Sequence, residues 1–536
     1  MLRISDIKVF IEEDKESILP KLIKNKLKIK ENQLKSYSIF KESIDARRDD
    51  VHFIYTIDAE VSNEEKILEK KIINVSKTPD LKYKPVAYKK RNTRPPVIVG
   101  FGPSGLFAAL ILAEAGCHPI VVERGSNVDQ RAKDIDKFWK EGILNQESNV
   151  QFGEGGAGTF SDGKLTTRIK DIVRCRKVLK EFVKAGADEN IYYQQKPHIG
   201  TDVLREVIKN IRKRIIDLGG EIRFESKMTD FIWEDGQVSG IEINGKDSIQ
   251  SDLIILAIGH SARDTYKLLK DNKVFLEQKS FAMGLRIEHP QKMIDYVQYG
   301  RYANHPKLDR ADYQLTYRGS NRSVYTFCMC PGGEVIASAS EAGKVVTNGM
   351  SYHDRSGENS NSAILVEVRP EDYDKGDVLD GIDFQRRWEE RAFEVGGGNY
   401  FAPCQRVKDF LGRKTNSQQL EEGYQLQPTY KPGVKWTSLE DCLPDFIIEG
   451  IKNALPEMGK KLKGFDMDEA ILTGVETRSS SPVRIKRDEH LRCSLKNVLV
   501  AGEGAGYAGG IISAAVDGIK AAEAALCMMN GEVLYG

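Results

Sequence analysis

Pro96-Val97-Ile98-Val99-Gly100-Phe101-Gly102-Pro103-Ser104-Gly105 runs straight into Leu106-Phe107-Ala108-Ala109-Leu110-Ile111-Leu112-Ala113. An apolar strand, a G-x-G-x-x-G turn and an apolar helix-forming run follow one another without a break. Gly100 serves the tight turn, Gly102 lets the backbone approach a pyrophosphate, and Gly105 lets the helix pack on the strand. With Pro103 and Ser104 the helix opens, and its first N–H groups face the anion. The next strand, Pro119-Ile120-Val121-Val122-Glu123, ends in an acid 18 residues after Gly105, near the roughly 20-residue spacing of a ribose-binding carboxylate. Glu123, with Arg124 beside it, is therefore the candidate for the adenosine ribose. The series predicts a dinucleotide cofactor.

A chain of 536 residues, 40% of them hydrophobic, has room for two or three domains with full cores. Lys plus Arg number 80 and Asp plus Glu 79, so no bulk field recruits nucleic acid or an anionic membrane. Neither is expected as a partner, and a charged ligand is met locally. The start, Met1-Leu2-Arg3-Ile4-Ser5-Asp6, lacks the apolar core of a secretory signal, and no later stretch reaches membrane-spanning length. The eight cysteines show no CxxC spacing, which speaks against a disulfide frame or zinc site. A cytoplasmic location and no metal are expected.

Five segments emerge. Residues 1–76 alternate short strands with charged helical stretches near 15–26 and 63–71 and read as a small α+β domain. Residues 77–95, with several prolines and the basic run Lys82, Lys84, Lys89, Lys90, Arg91 and Arg94, read as an exposed linker. Residues 96–275 carry the fingerprint, helical stretches near 171–185 and 201–218, a predicted β-meander, and the apolar strand Leu253–Ile258 ending at Gly259. Residues 276–485 read as an inserted, antiparallel β-rich substrate domain. Residues 486–536 return to the first fold through Val498-Leu499-Val500-Ala501-Gly502-Glu503.

This last segment is a second cofactor contact. Glu503 stands at a strand end where a ribityl hydroxyl needs an acceptor. Gly502, Gly509 and Gly510 permit close backbone approach, and the helix opening at Ile511 points its positive end at the flavin N1/O2 edge. Two distant segments around one dinucleotide favour FAD over NAD. The chain resembles the large bacterial FAD-dependent dehydrogenase-like family (NAD(FAD)-utilising dehydrogenases), which is similar in FAD fold to glutathione-reductase and geranylgeranyl-reductase-like flavoproteins. The stretches that carry the resemblance are Val99–Gly105, Gln151–Leu165, Cys328–Gly333, Thr347–Ser351 and Gly502–Gly510. It implies an α/β fold: a glutathione-reductase-type, Rossmann-like FAD domain, the inserted β-rich domain, and a ferredoxin-like N-terminal domain. It also implies that the glycine loop holding Gly156, Ser161, Gly163 and Lys164 curls past the pyrophosphate toward the isoalloxazine.

Hydride transfer to flavin N5 needs a donor carbon held against the ring and a polarising or proton-handling group. The catalytic candidates are Arg478 and Arg484 before the final FAD segment, Arg286 on a strand face with Glu288, and His353 in a polar cluster; arginine forks suit a substrate carboxylate or phosphate. His289 is a weaker proton-transfer candidate. A Cys328/Cys330 redox pair is disfavoured by bridging geometry. No second strand–GxGxxG–helix series appears, so NAD(P)H, as a transient reductant, must share the substrate's pocket. The expected activity is that of an FAD-dependent oxidoreductase passing a hydride between flavin N5 and a small, anionic organic substrate. The alternatives are a flavin monooxygenase and a non-catalytic redox sensor that docks a partner through residues 1–76.

Overall fold

Val97–Val99 occupies the centre of a five-stranded parallel sheet ordered Val498–Val500, Ile254–Leu256, Val97–Val99, Ile120–Val122, Glu221–Arg223. The computed structural model describes residues 1–47, 50–89, 93–413 and 426–531. Three of its strands, Val97–Val99, Ile254–Leu256 and Val498–Val500, are buried apolar triplets, as a parallel sheet covered on both faces requires. Their side chains alternate. Ile98, Ile255 and Leu499 point to a layer of helices that includes Pro103–Glu114, Thr201–Asp217 and Ile511–Met529. Val97, Val99, Ile254 and Leu256 point to the opposite layer, formed by the antiparallel meander Met228–Glu234, Gln237–Ile243, Asp247–Gln250 and helix Arg263–Asp271. Every residue of the first helix from Ser104 to Ala113 is buried, because Ile511–Met529 lies so close that a Cβ on Gly518 would meet the Ser104 carbonyl.

The N-terminal residues form a four-stranded antiparallel sheet ordered Leu34–Asp45, His52–Val61, Leu2–Phe10, Val75–Lys77. Helices Lys15–Leu27 and Glu64–Glu69 complete it. Asp14 caps the first helix by accepting from the Ser17 N–H, a satisfied donor at a terminus that has no partner of its own. The strand His52–Val61 alternates half-buried and buried residues, so one face makes the core. This sheet is tied to the body. The Glu42 N–H donates to the Tyr193 carbonyl at 2.8 Å and the Gln195 N–H to the Glu42 carbonyl at 2.8 Å, which covers an otherwise open edge.

The connector differs from the expected exposed linker. Tyr83, Val86 and Tyr88 are partly buried against the FAD-sheet helices. The Tyr83 hydroxyl donates to Glu523 at 3.0 Å and Asn530 donates to the Ala87 carbonyl at 2.9 Å. The aromatics within the basic run find the surface left by the final helix, which a reading dominated by lysines and prolines passes over. Of that run, Lys90 and Arg91 lie outside the described residues.

A seven-stranded sheet builds the second half, ordered Thr316–Arg318, Ser323–Cys330, Asn359–Val368, Phe281–Pro290, Ile471–Glu476, Ala402–Arg406, Val434–Trp436. It is mixed rather than purely antiparallel, since its last two strands run parallel. It is also helix-covered, with residues of Gln291–Tyr299, Asp380–Gly396 and Asp445–Lys461 in its core. The β-rich character of the segment agrees with the expectation, but its strands at Asn359–Val368, Ala402–Arg406 and Ile471–Glu476 give no separate signal, and these helices follow runs whose mixed polarity hides their buried stripe. No described helix is long and apolar enough to cross a membrane.

Phe281–Pro290 is buried at every position, so its polar residues must find partners inside. The Glu288 carboxylate accepts from Thr429 Oγ1 at 2.6 Å and Asn359 Nδ2 at 3.0 Å. Burial still pushes its carboxyl from 4.5 up to about 7. Between those values the folded protein keeps a proton that the unfolded chain releases, so stability falls as pH rises, by about 3 kcal/mol at most. We expect Tm to drop from pH 5 to 7.5 in the wild type and to drop less in Glu288→Gln; equal slopes would clear Glu288 of this role.

Candidate flavin and substrate site

The carboxyl ends of the parallel strands open into a cleft of about 2150 Å³ that runs on beneath the N-terminal sheet. Gly100, Gly102, Pro103, Ser104, Glu123, Arg124, Gly156, Ser161, Lys164, Gly259, Arg478, Glu503, Gly509, Gly510 and Ile511 all line it. Residues more than four hundred positions apart thus face one volume, where open α/β sheets bind their ligands.

The cleft suits a dinucleotide in three ways. Helices Pro103–Glu114 and Ile511–Met529 start at Gly102 and Gly510 without a side-chain cap on either, which leaves their first N–H groups to a ligand. The Ser104 hydroxyl is buried without a partner at the first of these ends. A Cβ on Gly259, Gly509 or Gly510 would meet no protein atom within 4 Å, so these backbones border open space that a flat ligand can approach.

Glu123 is buried and stitches the cradle. Its carboxylate accepts from Phe101 N at 2.8 Å, Gly125 N at 3.0 Å and Gly153 N at 3.0 Å, leaving one of about four acceptor positions for a ribose hydroxyl. Arg124 is committed to Glu147 and Asp264 and lies over the Phe152 ring at 4.1 Å. Ser161 is turned into its own loop, donating to the Gly158 carbonyl at 2.7 Å and accepting from Gly163 N at 3.1 Å. Lys164 donates to the Met329 carbonyl, and Asp162 pairs with Arg355 at 2.6 Å, so the glycine loop is pinned to the second sheet. Gly105, Gly163 and Gly502 sit behind the cleft wall as packing positions. A Cβ on Gly105 would strike the Gly100 carbonyl, Gly163 has φ +67°, and the Gly502 N–H donates to Asp517 at 2.7 Å.

Three catalytic candidates do not reach the cleft. Arg286 is fully buried with all five N–H groups taken, by Glu476 twice, Asn361, Asn348 and the Cys328 carbonyl, so it cannot clamp a substrate. Arg484 pairs with Glu277 at 2.9 Å and stacks behind Tyr507 at 5.1 Å. His353 is on the surface, stacked on His198 and bonded through Nδ1 to the Ile199 carbonyl at 2.8 Å. His289 bonds the Phe465 carbonyl at 2.7 Å inside the second core. Arg478 does reach the cleft. It grips Glu389 at 3.1 and 3.0 Å and Ser340 at 2.5 Å, its Nη2 also lies 4.0 Å from Glu341, and two of its five N–H groups make no hydrogen bond. Burial, then the neighbouring Arg263 guanidinium, lowers its pKa. Cys328 and Cys330 are free thiols on the cleft floor, and crowding by protein pushes Cys328 up to about 12.

The sequence reading missed His260, Lys279 and Arg131. His260 lines the cleft directly after Gly259, its Nε2 buried without a partner and its Nδ1 3.8 Å from Glu503. Burial, with Arg478 and Arg263 adding to it, lowers His260 to about 3. Burial raises Glu503 to about 7, against the pull of Lys279, and burial lowers Lys279 in turn. Arg131, wholly buried, donates to the carbonyls of Asn149, Val150, Gly153 and Glu154. The signal for His260 was its place at a strand's carboxyl end; Arg131 gives none, being one charge on a charged helix.

Residues 280–479 match the family described as FAD-dependent protein, C-terminal domain-like, and residues 1–60 match a family described as a domain of unknown function. An uncharacterised protein of Clostridium beijerinckii is 48% identical over 529 residues, covering 97% of this chain and 98% of that one. The chain belongs to that protein's family. FAD is its cofactor, in keeping with the cradle. Among solved structures, the chain is similar to CtdE in complex with FAD (13% identity, 83% and 87% of the two chains, TM-score 0.33). It is also similar to a geranylgeranyl bacteriochlorophyll reductase-like protein of Thermoplasma acidophilum (13%, 82% and 79%, TM-score 0.35).

Two glycines separate cofactor space from packing space. A Cβ on Gly102 meets only the Gly156 backbone, at 3.6 Å and beyond, so Gly102→Val should fold yet lose FAD, read as absent 450-nm absorbance at near-normal Tm. Gly105→Val should lose the fold itself. A yellow Gly102→Val protein would refute the placement. Arg131→Met strands the buried Asn149 and Val150 carbonyls, each worth about 1–3 kcal/mol, while the Gly153 and Glu154 carbonyls keep the Gly156 N–H and the Thr159 hydroxyl; we expect a lowered Tm and weak flavin retention, and an unchanged Tm would show that the loop holds itself.

Proposed function

We propose that this FAD-dependent protein is an oxidoreductase of the dehydrogenase or reductase type, acting on an organic anion. The observation that carries the reading is that one cleft is lined both by the cofactor cradle and by Arg478, a buried cation with two N–H groups that make no hydrogen bond. FAD supplies the two-electron chemistry, taking or giving a hydride at N5. The chain's own residues supply the rest. Arg478 orients a carboxylate or phosphate, while Glu503, near neutrality at about 7, and uncharged His260 hold or pass the accompanying proton.

The finer fold assignment belongs to the same reading. Strand order and the βαββαβ sequence at residues 1–76 support a ferredoxin-like domain. The parallel sheet with its meander supports a glutathione-reductase-type FAD fold in two pieces, 96–275 and 486–536, around a substrate domain at 276–485. Eight free cysteines suit a cytoplasmic location. NADH or NADPH mixed anaerobically with the yellow protein should bleach it if a nicotinamide is the reductant, and an organic donor should do so otherwise. Rapid oxygen uptake coupled to hydroxylation of an added substrate would move the assignment to a monooxygenase, and a protein that no donor reduces would leave a sensor.

A further inference from the structure

The cleft is larger than one ligand needs. Small-molecule sites occupy about 300–1,000 Å³, whereas this one measures about 2150 Å³, and the FAD cradle takes only its inner end. Its outer end is walled on one side by the strand Leu34–Asp45 of the N-terminal sheet, through Phe40, Lys41 and Ile44, and on the other by Arg168, Arg318 and Phe327. We propose that this outer half binds a second, elongated ligand that joins an aromatic part to phosphate groups. This rests on the reading that the inner half holds FAD.

Charge and surface carry the assignment. Lys41, Arg168 and Arg318 come from three separate segments, are exposed, and make no side-chain hydrogen bond or ion pair among the described residues. Other cations of the same cleft are satisfied, Lys196 by Asp312 at 2.7 Å and Arg310 by Asp295 at 2.9 Å. Unpaired cations gathered around one cleft suit a ligand with several negative charges, and guanidinium forks match phosphate oxygens. Ile44 and Phe327 are 41% and 40% exposed in the same cleft, offering apolar area to a flat ring.

The wall is built to stay. Besides the two backbone bonds of Glu42, the Arg176 guanidinium lies between the Phe40 ring at 4.8 Å and the Tyr192 ring at 3.8 Å, and Lys307 of the body caps the Ile11 and Glu13 carbonyls at 2.8 and 2.7 Å. The N-terminal domain is thereby part of the binding cleft. Two ligands share the required chemistry: a nicotinamide dinucleotide acting as reductant, and a substrate with a phosphate tail.

The test is anaerobic calorimetric titration of the FAD-loaded protein with ADP and with NADPH, flavin absorbance being followed throughout. We expect one molecule of either to bind beside retained flavin. The Lys41→Glu/Arg168→Glu double variant should bind about tenfold more weakly, and Lys213→Glu, an exposed helix position outside the cleft, should bind as the wild type does. Bleaching by NADPH assigns the site to the reductant, and binding without bleaching assigns it to a phosphate-tailed substrate. Absence of binding, equal affinity in the double variant, or ADP that binds only by expelling flavin overturns the proposal. A protein that carries no flavin at all instead counts against the inner site, so the two failures are distinct.

Discussion

Glu123 holds three loops by their N–H groups: the fingerprint turn at Phe101, the end of its own strand at Gly125, and the glycine loop at Gly153. Each loop carries part of the cofactor cradle, and none contains a regular element that would fix it alone. One buried carboxylate therefore sets their relative positions. Arg131 completes the arrangement from below, gathering the carbonyls of the same glycine loop. Arg131 is lowered to about 10 by burial, with the Glu123 and Glu154 charges opposing that shift. An anion and a cation working on backbone N–H and C=O groups shape a loop that has little apolar surface with which to hold itself.

The second half of the molecule handles charge differently. Glu389, fully buried, lies between Arg263 and Arg478, which hold its carboxyl well below the ordinary carboxylate range despite burial. Ion pairs so deeply buried are poor sources of stability, because desolvation offsets their attraction. What they do here is fix orientation. Arg478 is held in one orientation at the cleft wall by Glu389 and Ser340, as a rigid anion-binding group should be. Arg286, with every donor committed, joins strands of the seven-stranded sheet.

Much of the fold was legible in the sequence. The G-x-G-x-x-G turn between an apolar strand and an apolar helix, the acid at Glu123, and the glycine-rich return at Gly502–Gly510 each encode a local geometry. The strand Phe281–Pro290 is legible in the same way, its alternation putting Arg286 and Glu288 on one face. Less legible were the helices at Asp380–Gly396 and Asp445–Lys461 and the docking of Tyr83 and Tyr88. In those cases the apolar stripe is interrupted by charged residues, and what covers it lies far away in the chain.

The sequence by itself determined where the backbone could turn tightly, which strands could be buried on both faces, and so which cofactor the chain could cradle. These follow from glycine's missing Cβ and from periodicity, both properties of neighbouring residues. Only the tertiary structure decided which of four candidate side chains meets the cleft. Arg286, Arg484 and His353 look as able as Arg478 on paper, but an N–H is available to a ligand only if no remote carboxylate or carbonyl has taken it, and that depends on partners such as Glu476 and Glu277 brought close by folding.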